Sequence, residues 1–566
     1  MSGSFNRRTL LQLLAAPVFA AKFTDITASA GLANARNVSG EPENKQSLLE
    51  EMGCGVALMD YDNDGWLDIF LVNGATFDPR NRPTSYLFHN NRDGTFTDVT
   101  RKAGLTHTAW GQGCCIGDYD NDGFEDLFIS CFGRNLLYHN NGDGTFTDVS
   151  KKAGVAGAAN RWGAGCCFLD YDRDGHLDLF VANYITYDPV RAPTPGDSVN
   201  CQYSGIPVPC GPQGFGGGTN LLYWNRGDGT FEDVSEKTGI VNPRGAATAT
   251  YLPFNWRPAG SYGMGAAAAD FDNDGWPDIY VACDTAPSLL YHNNHDGTFR
   301  EIAVPAGCAF DENGATRSGM GAGVGDYDGD GWLDIVRTNF ADEVTSLYRN
   351  NGDGTFRDAS LQAGLGLNSR YVGFGVGFLD FDNDGWKDIF IANGHVYSQL
   401  ARRKVYVSYK EPRLLYRNLG NGRFEDASAQ AGPAITQPNL GRGCAFGDLD
   451  NDGYVDIVVN NLDGPPSVLH NAEKNQNNWL MVKCVGTRSN RSAIGARVRV
   501  VAEQHAQIGE VISGSGYYSQ NDLRLHFGLG AARRVDVLEI RWPSGTRQEL
   551  RDVRPNQVLT VTEIHP

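Results

Sequence analysis

Aspartate recurs at a fixed spacing in seven nine-residue segments of the sequence, beginning with DYDNDGWLD (60–68). Every copy has Asp at positions 1, 3, 5 and 9 and Gly at position 6. Calcium takes roughly 6–8 oxygen ligands, so four carboxylates and one backbone carbonyl can surround a single ion. Gly at position 6 permits the sharp bend that turns these oxygens inward. The spacing therefore predicts seven calcium loops and about seven bound calcium ions.

In each loop the predicted ligands are the side chains of positions 1, 3, 5 and 9 and the backbone carbonyl of position 7. The seven sets are Asp60, Asp62, Asp64, Trp66 and Asp68; Asp118, Asp120, Asp122, Phe124 and Asp126; Asp170, Asp172, Asp174, His176 and Asp178; Asp270, Asp272, Asp274, Trp276 and Asp278; Asp326, Asp328, Asp330, Trp332 and Asp334; Asp380, Asp382, Asp384, Trp386 and Asp388; and Asp448, Asp450, Asp452, Tyr454 and Asp456. An EF-hand would need a bidentate Glu at position 12 and flanking helices. Position 12 carries no carboxylate in any copy, and the residues that follow, as in LDIFLVN (67–73), have no helical period. We therefore expect calcium loops between strands, with ordinary Asp-Gly turns as the alternative.

Each loop belongs to a longer repeat that predicts four strands. Gly stands seven and five residues before the first Asp in every copy, as in Gly53 and Gly55, so one face of that strand has no side chains. Two further strands, a GDGT-type turn and an outer strand of the form Phe-x-Asp/Glu follow the loop, and the typical repeat is 52–58 residues. Four-stranded units in tandem are typical of β-propeller blades.

The two ends of the repeat region predict how the ring closes. The seventh unit lacks an outer strand, whereas KFTDITASAGL (22–32) matches TFTDVSKKAGV (145–155). The N-terminal strand should complete the last blade and leave no open sheet edge. The predicted fold is all-β: a seven-bladed calcium-binding β-propeller over 22–474, closed by the N-terminal strand, and a small β-rich, sandwich-like domain over 475–566.

Both regions resemble known families. The repeats resemble the FG-GAP or VCBS-type repeats of integrin α-subunit propellers, although a literal Phe-Gly occurs at the paired glycines only at 374–375. The tail, from NRSAIGARVRV (490–500) through HFGLG (526–530) to WPSG (542–545), resembles the ASPIC/UnbV domain. Together they resemble a bacterial member of the cartilage acidic protein family, which implies a calcium-binding propeller. The animal members carry a Cys-rich EGF-like module that this sequence lacks, so no role of that module is transferred.

The N-terminal residues predict export. Residues 1–20 combine two arginines, a short apolar run and small residues near Ala20, which is the layout of a cleaved signal peptide. Arg7 and Arg8 resemble a twin-arginine signal, and an ordinary secretory signal is the alternative. No stretch is long enough to span a bilayer. We expect a monomer in the periplasm or outside the cell, where Cys201 and Cys210 can form a disulfide across a Pro-rich loop.

The net charge of −19 argues against nucleic acid as a partner, and the loop aspartates account for most of that charge. Long insertions at 74–84, 184–219 and 394–412 should emerge on the face opposite the calcium loops. A candidate ligand face combines Tyr251, Phe254, Trp256 and Tyr262 with Arg402, Arg403 and Tyr406, a set that suits a glycan or a protein. The alternative is that these residues pack the insertions against each other.

No catalytic motif was found in the sequence, and the loop aspartates are committed to the predicted metal sites. The sequence therefore favours a non-catalytic binding or adhesion module for a protein or glycan ligand. The alternative is a polysaccharide-active or quinone-dependent enzyme that uses the insertion face, since a propeller supports both kinds of function.

Overall fold

The computed structural model describes residues 23–78, 80–241, 260–403, 405–472 and 475–565. The predicted signal peptide (1–20) lies outside these ranges, as do Tyr251, Phe254 and Trp256 of the candidate ligand face. The described residues form mainly β-strands, which confirms the all-β class. None of the described helices is long and apolar enough to cross a membrane.

Seven antiparallel four-stranded sheets follow one another and are numbered here sheet 1 to sheet 7 in the order of their first strands. Sheet 1 contains Val56–Met59, Asp68–Leu71, Tyr86–Asn90 and Phe96–Asp98; sheet 2 contains Trp110–Gly117, Asp126–Phe132, Leu136–Asn140 and Phe146–Asp148; sheet 3 contains Gly163–Leu169, Asp178–Asn183, Leu221–Asn225 and Phe231–Asp233; sheet 4 contains Gly263–Ala269, Asp278–Cys283, Leu289–Asn293 and Phe299–Glu301. Sheet 5 contains Ala322–Gly325, Asp334–Arg337, Ser346–Asn350 and Phe356–Asp358; sheet 6 contains Gly373–Leu379, Asp388–Asn393, Leu414–Asn418 and Phe424–Asp426; sheet 7 contains Gly441–Gly447, Asp456–Asn461, Ser467–Asn471 and Phe23–Asp25. Every Asp-rich loop joins the first strand of its sheet to the second.

Burial explains the composition of these strands. All six residues of the second strand of sheet 3, Asp178–Asn183, are buried, because neighbouring sheets cover both of its faces. In the outer strand Phe96–Asp98 only the Phe is buried. Inner strands therefore read as continuous apolar runs, and outer strands keep one buried side chain per repeat.

The N-terminal strand completes sheet 7. Phe23–Asp25 pairs antiparallel with Ser467–Asn471, with Phe23 opposite Asn471 and Asp25 opposite Leu469. The first strand of each sheet packs against the first strands of the two neighbouring sheets, and that of sheet 7 packs against that of sheet 1.

The paired glycines allow the first strands to approach one another closely, as the sequence predicts. A Cβ atom added at Gly165 would lie 2.5 Å from the carbonyl oxygen of Met264 in the next sheet. The same atom at Gly375 would lie 2.6 Å from the carbonyl oxygen of Arg442. A side chain at either position would force adjacent sheets apart.

The C-terminal residues form two further sheets that share one hydrophobic core. The three-stranded sheet contains Leu525–Gly530, Asn478–Val485 and Val558–Thr562, and the four-stranded sheet contains His505–Glu510, Arg497–Ala502, Val535–Arg541 and Arg547–Val553. Leu480 of the first sheet lies in the same buried cluster as Val498 and Leu538 of the second.

Short elements occupy the connections. The described helical turns are Leu49–Met52, Ser150–Ala153, Val199–Cys201, Pro212–Gly214, Ala303–Ala306, Leu365–Asn368, Ser398–Arg402 and Pro433–Thr436. Two small hairpins in the insertion of sheet 3 pair Ile185–Thr186 with Gly216–Gly217 and Gln202–Tyr203 with Ile206–Pro207.

Candidate metal centres and the two faces

The seven Asp-rich loops share one hydrogen-bonded scaffold. In sheet 1, the Asp60 carboxylate accepts the backbone N–H groups of Asp64 at 2.8 Å and Gly65 at 3.1 Å. Asp68 accepts the N–H of Tyr61 at 3.3 Å and that of Asn90, on the third strand, at 2.8 Å. These bonds recur in every loop and turn the carboxylates of positions 1 and 9 toward a common point.

Position 5 fixes the remainder of the turn. Its carboxylate accepts the N–H of position 7 at 2.8–3.0 Å in all seven loops, at Trp66, Phe124, His176, Trp276, Trp332, Trp386 and Tyr454. Position 4 is left-handed throughout, with φ of 55° at Asn63 and 72° at Gly329. Asn tolerates this conformation better than most residues, which explains its frequency there.

The position-3 carboxylate provides an oxygen that the protein leaves open. In five loops one Oδ1 atom is buried and has no hydrogen-bond partner among the described residues, at Asp62, Asp172, Asp328, Asp382 and Asp450. Carboxylate oxygens of Asp60, Asp62 and Asp68 all lie within 4.8 Å of one another. Oxygens that each lie about 2.4 Å from a shared calcium ion can be at most about 4.8 Å apart, so this set fits one ion. A buried oxygen without a hydrogen-bond partner calls for an explanation, and a bound cation would supply one.

A third-strand side chain holds the other oxygen of position 3 in several loops. The indole N–H of Trp224 donates to Oδ2 of Asp172 at 2.9 Å, and Nε of Arg417 donates to Oδ2 of Asp382 at 2.9 Å. His139 Nδ1 lies 3.2 Å from Oδ2 of Asp120. This position is occupied by His89, His139, Trp224, His292, Arg349, Arg417 and His470, so four loops have an imidazole and two a guanidinium.

Burial and mutual repulsion disfavour the charged carboxylates. Burial, opposed by the N–H of Asn90, raises the pKa of Asp68 to about 9. Burial and then the charges of Asp174 and Asp172 raise the pKa of Asp170 to about 7. The Asp126 carboxylate, whose Oδ1 lies 3.4 Å from Nδ1 of His139, raises the pKa of His139 to about 9. A bound cation would favour the ionised carboxylates and so offset both effects.

Asparagines at the end of the third strands connect adjacent sheets. The side-chain N–H of Asn140 donates to the carbonyl of Tyr61 in the loop of sheet 1, at 2.8 Å, and to that of Glu125 in its own loop, at 3.1 Å. Equivalent bonds to the preceding loop, at 2.7–2.8 Å, are made by Asn90, Asn225, Asn293, Asn350, Asn418 and Asn471. The bond from Asn90 reaches the carbonyl of Leu449 in the loop of sheet 7, so this series of bonds also joins the first sheet to the last.

Position-4 asparagines add a second set of links in the opposite direction. Asn63 donates to the carbonyl of Gly123 at 2.8 Å, and Asn451 donates to that of Gly65 at 3.1 Å. Neither set of asparagines was expected from the sequence to be functional. The available signal was an Asn that recurs at the same repeat position, as in NLLYHNN (135–141).

The C-terminal domain covers the face that carries the Asp-rich loops. Arg541 donates to the carbonyl of Asn273 at 2.9 Å and also contacts the Asp270 carboxylate. Nε2 of His505 lies 2.9 Å from the carbonyl of Gly385, and Nζ of Lys483 lies 3.5 Å from Oδ2 of Asp60. Basic residues of this domain therefore face the most acidic part of the molecule.

Residues 513–522, named here the central segment, contact all seven sheets. The contacts, in the order of the sheets, are Leu58 N–H to Gln520 O at 3.1 Å, Cys114 N–H to Tyr518 O at 3.0 Å, Phe168 N–H to Ser513 Oγ at 3.3 Å, Tyr518 O–H to Met264 Sδ at 3.2 Å, Ala322 N–H to Gly516 O at 2.9 Å, the rings of Tyr517 and Phe374 with centroids 4.9 Å apart, and Phe446 N–H to Asn521 Oδ1 at 3.1 Å. The partners lie on the first strands or at their starts. The segment therefore occupies the place where these strands converge.

The described members of the candidate ligand face contact neighbouring insertions. Tyr262 donates its hydroxyl proton to the carbonyl of Phe215 at 2.7 Å. Arg402 pairs with Glu43 at 2.7 Å, and the Tyr406 hydroxyl donates to Asp342. Arg403 follows the turn Ser398–Arg402. These contacts match the packing alternative, and ligand binding by this face stays a prediction.

The described cysteines fall into two groups. Cys201 and Cys210 are joined in a disulfide within the insertion of sheet 3. The free cysteines of the described residues, including Cys114 and Cys444, are buried.

The sheets and their loops define a β-propeller type of protein built from Asp-rich repeats. The FG-GAP-like repeat model matches residues 60–129, 118–181, 213–281, 270–337, 326–391 and 405–459, and the ASPIC and UnbV model matches 486–565. The chain therefore belongs to the family of FG-GAP-repeat proteins with an ASPIC/UnbV domain that includes cartilage acidic protein 1.

Relatives match along most of the chain. Cartilage acidic protein 1 of Xenopus tropicalis is 25% identical over 554 residues, which cover 92% of this chain and 75% of that protein. The Homo sapiens protein is 26% identical and covers 92% of this chain and 73% of its own length. Among solved structures, an Agrocybe aegerita lectin that recognises non-reducing terminal N-acetylglucosamine matches with a TM-score of 0.37 and 19% identity. The match covers 73% of this chain and 87% of the lectin chain.

Proposed function

We propose that this protein is an exported binding module whose seven sheets form one closed propeller, fastened by calcium ions in the Asp-rich loops. The observation that carries the metal assignment is the open oxygen of position 3, which in five loops of the same scaffold is buried and has no hydrogen-bond partner in the described parts of the chain. Bound calcium would supply positive charge to the four carboxylates of each loop. The loop would then hold the first two strands of its sheet and, through the two sets of asparagines, the adjacent sheets.

The arrangement of the faces supports binding by the insertion side. The C-terminal domain covers the loop face, and basic residues such as Arg541 contact the loops there. The opposite face carries the long insertions, including the disulfide-linked segment at Cys201 and Cys210. A protein or glycan ligand would therefore meet the insertions, on loops that a rigid scaffold presents.

Export agrees with the chemistry of the disulfide and of the proposed calcium loops. Disulfides persist in oxidising compartments, and extracellular calcium modules bind with dissociation constants of roughly 10⁻⁴–10⁻³ M. The proposal therefore places the protein where calcium is abundant, and it assigns no catalytic role to any residue.

Elemental analysis of the purified protein after dialysis against millimolar calcium tests the metal assignment. The proposal predicts close to seven calcium ions per chain, one for each loop. Retention of one ion or none would show that the loops are Asp-Gly turns, and the assignment would be wrong.

A further inference from the structure

A pocket on the insertion side lies between sheets 1 and 2, and none of the residues of the candidate ligand face lines it. It has a volume of about 380 Å³, within the range of about 300–1,000 Å³ that small-ligand sites occupy. The first insertion contributes Phe77 and Arg82, the entry to sheet 2 contributes His107 and Trp110, and the end of its second strand contributes Arg134. Three separate connections therefore build this site.

Aromatic residues form one wall of the pocket. The rings of Phe77 and Trp110 have centroids 4.9 Å apart with an interplanar angle of 58°. Phe77 is 46% exposed, which is unusual for a large apolar side chain. Trp110 is 8% exposed, and its indole N–H has no hydrogen-bond partner among the described residues. A buried donor without a partner is costly unless water or a ligand accepts from it.

The charge of the pocket opposes that of the whole chain. Its described lining includes Arg82, His107 and Arg134 but no acidic residue, whereas the chain carries a net charge of −19. Arg134 is neutralised by Asp148 at 2.9 Å, and His107 lies 3.6 Å from the same carboxylate. Arg82 is exposed and makes no ion pair or side-chain hydrogen bond within the part of the chain that the structure describes. One unpaired guanidinium therefore faces an aromatic wall.

We infer that this pocket binds an acidic sugar residue. The apolar C–H face of a pyranose ring would pack on Phe77, as aromatic side chains combine a large apolar surface with a defined plane. A carboxylate or sulfate group of the sugar would pair with the Arg82 guanidinium, which presents a fork of donors to planar or tetrahedral anions. This inference rests on the proposed function as a binding module and specifies the class of ligand.

Isothermal titration calorimetry of the full chain in calcium, with short oligogalacturonates, sulfated oligosaccharides and neutral maltotetraose as three probes, tests the inference. At least one of the two acidic probes should bind, and maltotetraose should not. Arg82→Gln and Phe77→Ala should each weaken the binding about ten-fold or more, since loss of a charge-assisted pair or an aromatic contact is worth roughly 1.4 kcal/mol. The carboxylate and sulfate probes distinguish the two kinds of anion.

Arg80→Gln is the matched control, because Arg80 lies in the same insertion, is fully exposed and pairs with Asp78 at 2.7 Å. It removes the same charge outside the pocket and should leave the affinity unchanged. Equal weakening by Arg80→Gln and Arg82→Gln, or no binding of either acidic probe by the wild-type protein, would overturn the inference. The calcium content of the same samples is measured in parallel, so failure of sugar binding with seven ions retained would leave the proposed calcium-fastened module intact.

Discussion

At the scale of single residues, the loops distinguish side chains that would hold a cation from side chains that position them. The carboxylates of positions 1 and 9 accept backbone N–H groups, whereas position 3 leaves Oδ1 open at Asp62 and four equivalent residues. The grouping of the four carboxylates could be predicted from the sequence because all four lie within nine residues. The contact between the third-strand residue and position 3 could not be predicted, since His139 and its partner Asp120 lie on different elements of the repeat.

Replacing a position-3 carboxylate should remove one ion without unfolding the loop. Asp120→Asn keeps the size of the side chain but removes its charge, so we expect about one calcium ion fewer per chain. The control is Asp143→Asn, in the exposed turn of the same sheet, where the carboxylate bonds Thr145. Elemental analysis compares the two variants, and equal calcium contents would contradict the assignment of position 3.

The third-strand residue beside position 3 should make the calcium affinity differ from one loop to the next. Arg349 contacts the carboxylates of Asp328 and Asp330, the latter at 2.6 Å, and places a permanent positive charge beside the site. Arg349→His would reproduce the arrangement of four other loops, and we expect calcium to bind that loop several-fold more tightly, because an imidazole can release its proton when calcium binds and a guanidinium cannot. Calorimetric calcium titration measures the change, and the reverse variant His139→Arg should weaken one site. Unchanged titrations in both variants would contradict this explanation.

At the scale of elements, adjacent sheets are joined through glycines that admit close contact and asparagines that donate across the seam. Strands with continuous apolar or alternating patterns can be recognised in the sequence, such as Val535–Arg541 of the C-terminal domain. Arg547–Val553 cannot, because it is mostly exposed and reads RQELRDV, without an apolar face. His505–Glu510 and Leu525–Gly530 cannot for a similar reason, since their short sequences carry no regular alternation.

An inter-sheet asparagine should contribute more to stability than its exposed neighbour. Asn140→Ala removes the donor to two carbonyls, of Tyr61 and Glu125, and should lower the free energy of unfolding by about 2–4 kcal/mol. Asn141→Ala removes only two exposed bonds, one to Thr145 and one from Thr147, and should change the free energy of unfolding by less than about 1 kcal/mol. Urea unfolding in calcium measures both, and similar values for the two variants would refute the inter-sheet role.

At the scale of the whole molecule, the two regions of the chain form one connected structure. The C-terminal domain covers the Asp-rich loops, and the central segment (513–522) contacts all seven sheets. The sequence of this segment, SGSGYYSQND, has no strand pattern, and its partners are distributed over most of the chain. Its position could therefore not be predicted.

Removal of calcium should loosen the contact between the regions. Lys483, His505 and Arg541 all reach loop atoms, so opening of the loops would displace their partners. We expect amide hydrogen exchange in the central segment to become at least ten-fold faster in excess chelator. The exposed strand Arg547–Val553 serves as an internal reference. Unchanged protection of the central segment on chelation would show that docking is independent of the loops.

Thermal unfolding of the full chain in millimolar calcium and in excess chelator tests the central claim most directly. Because the ions would bind the folded loops and not the unfolded chain, their removal should lower the melting temperature by more than about 10 °C. A melting temperature that is the same with and without calcium would contradict the claim that calcium fastens this propeller.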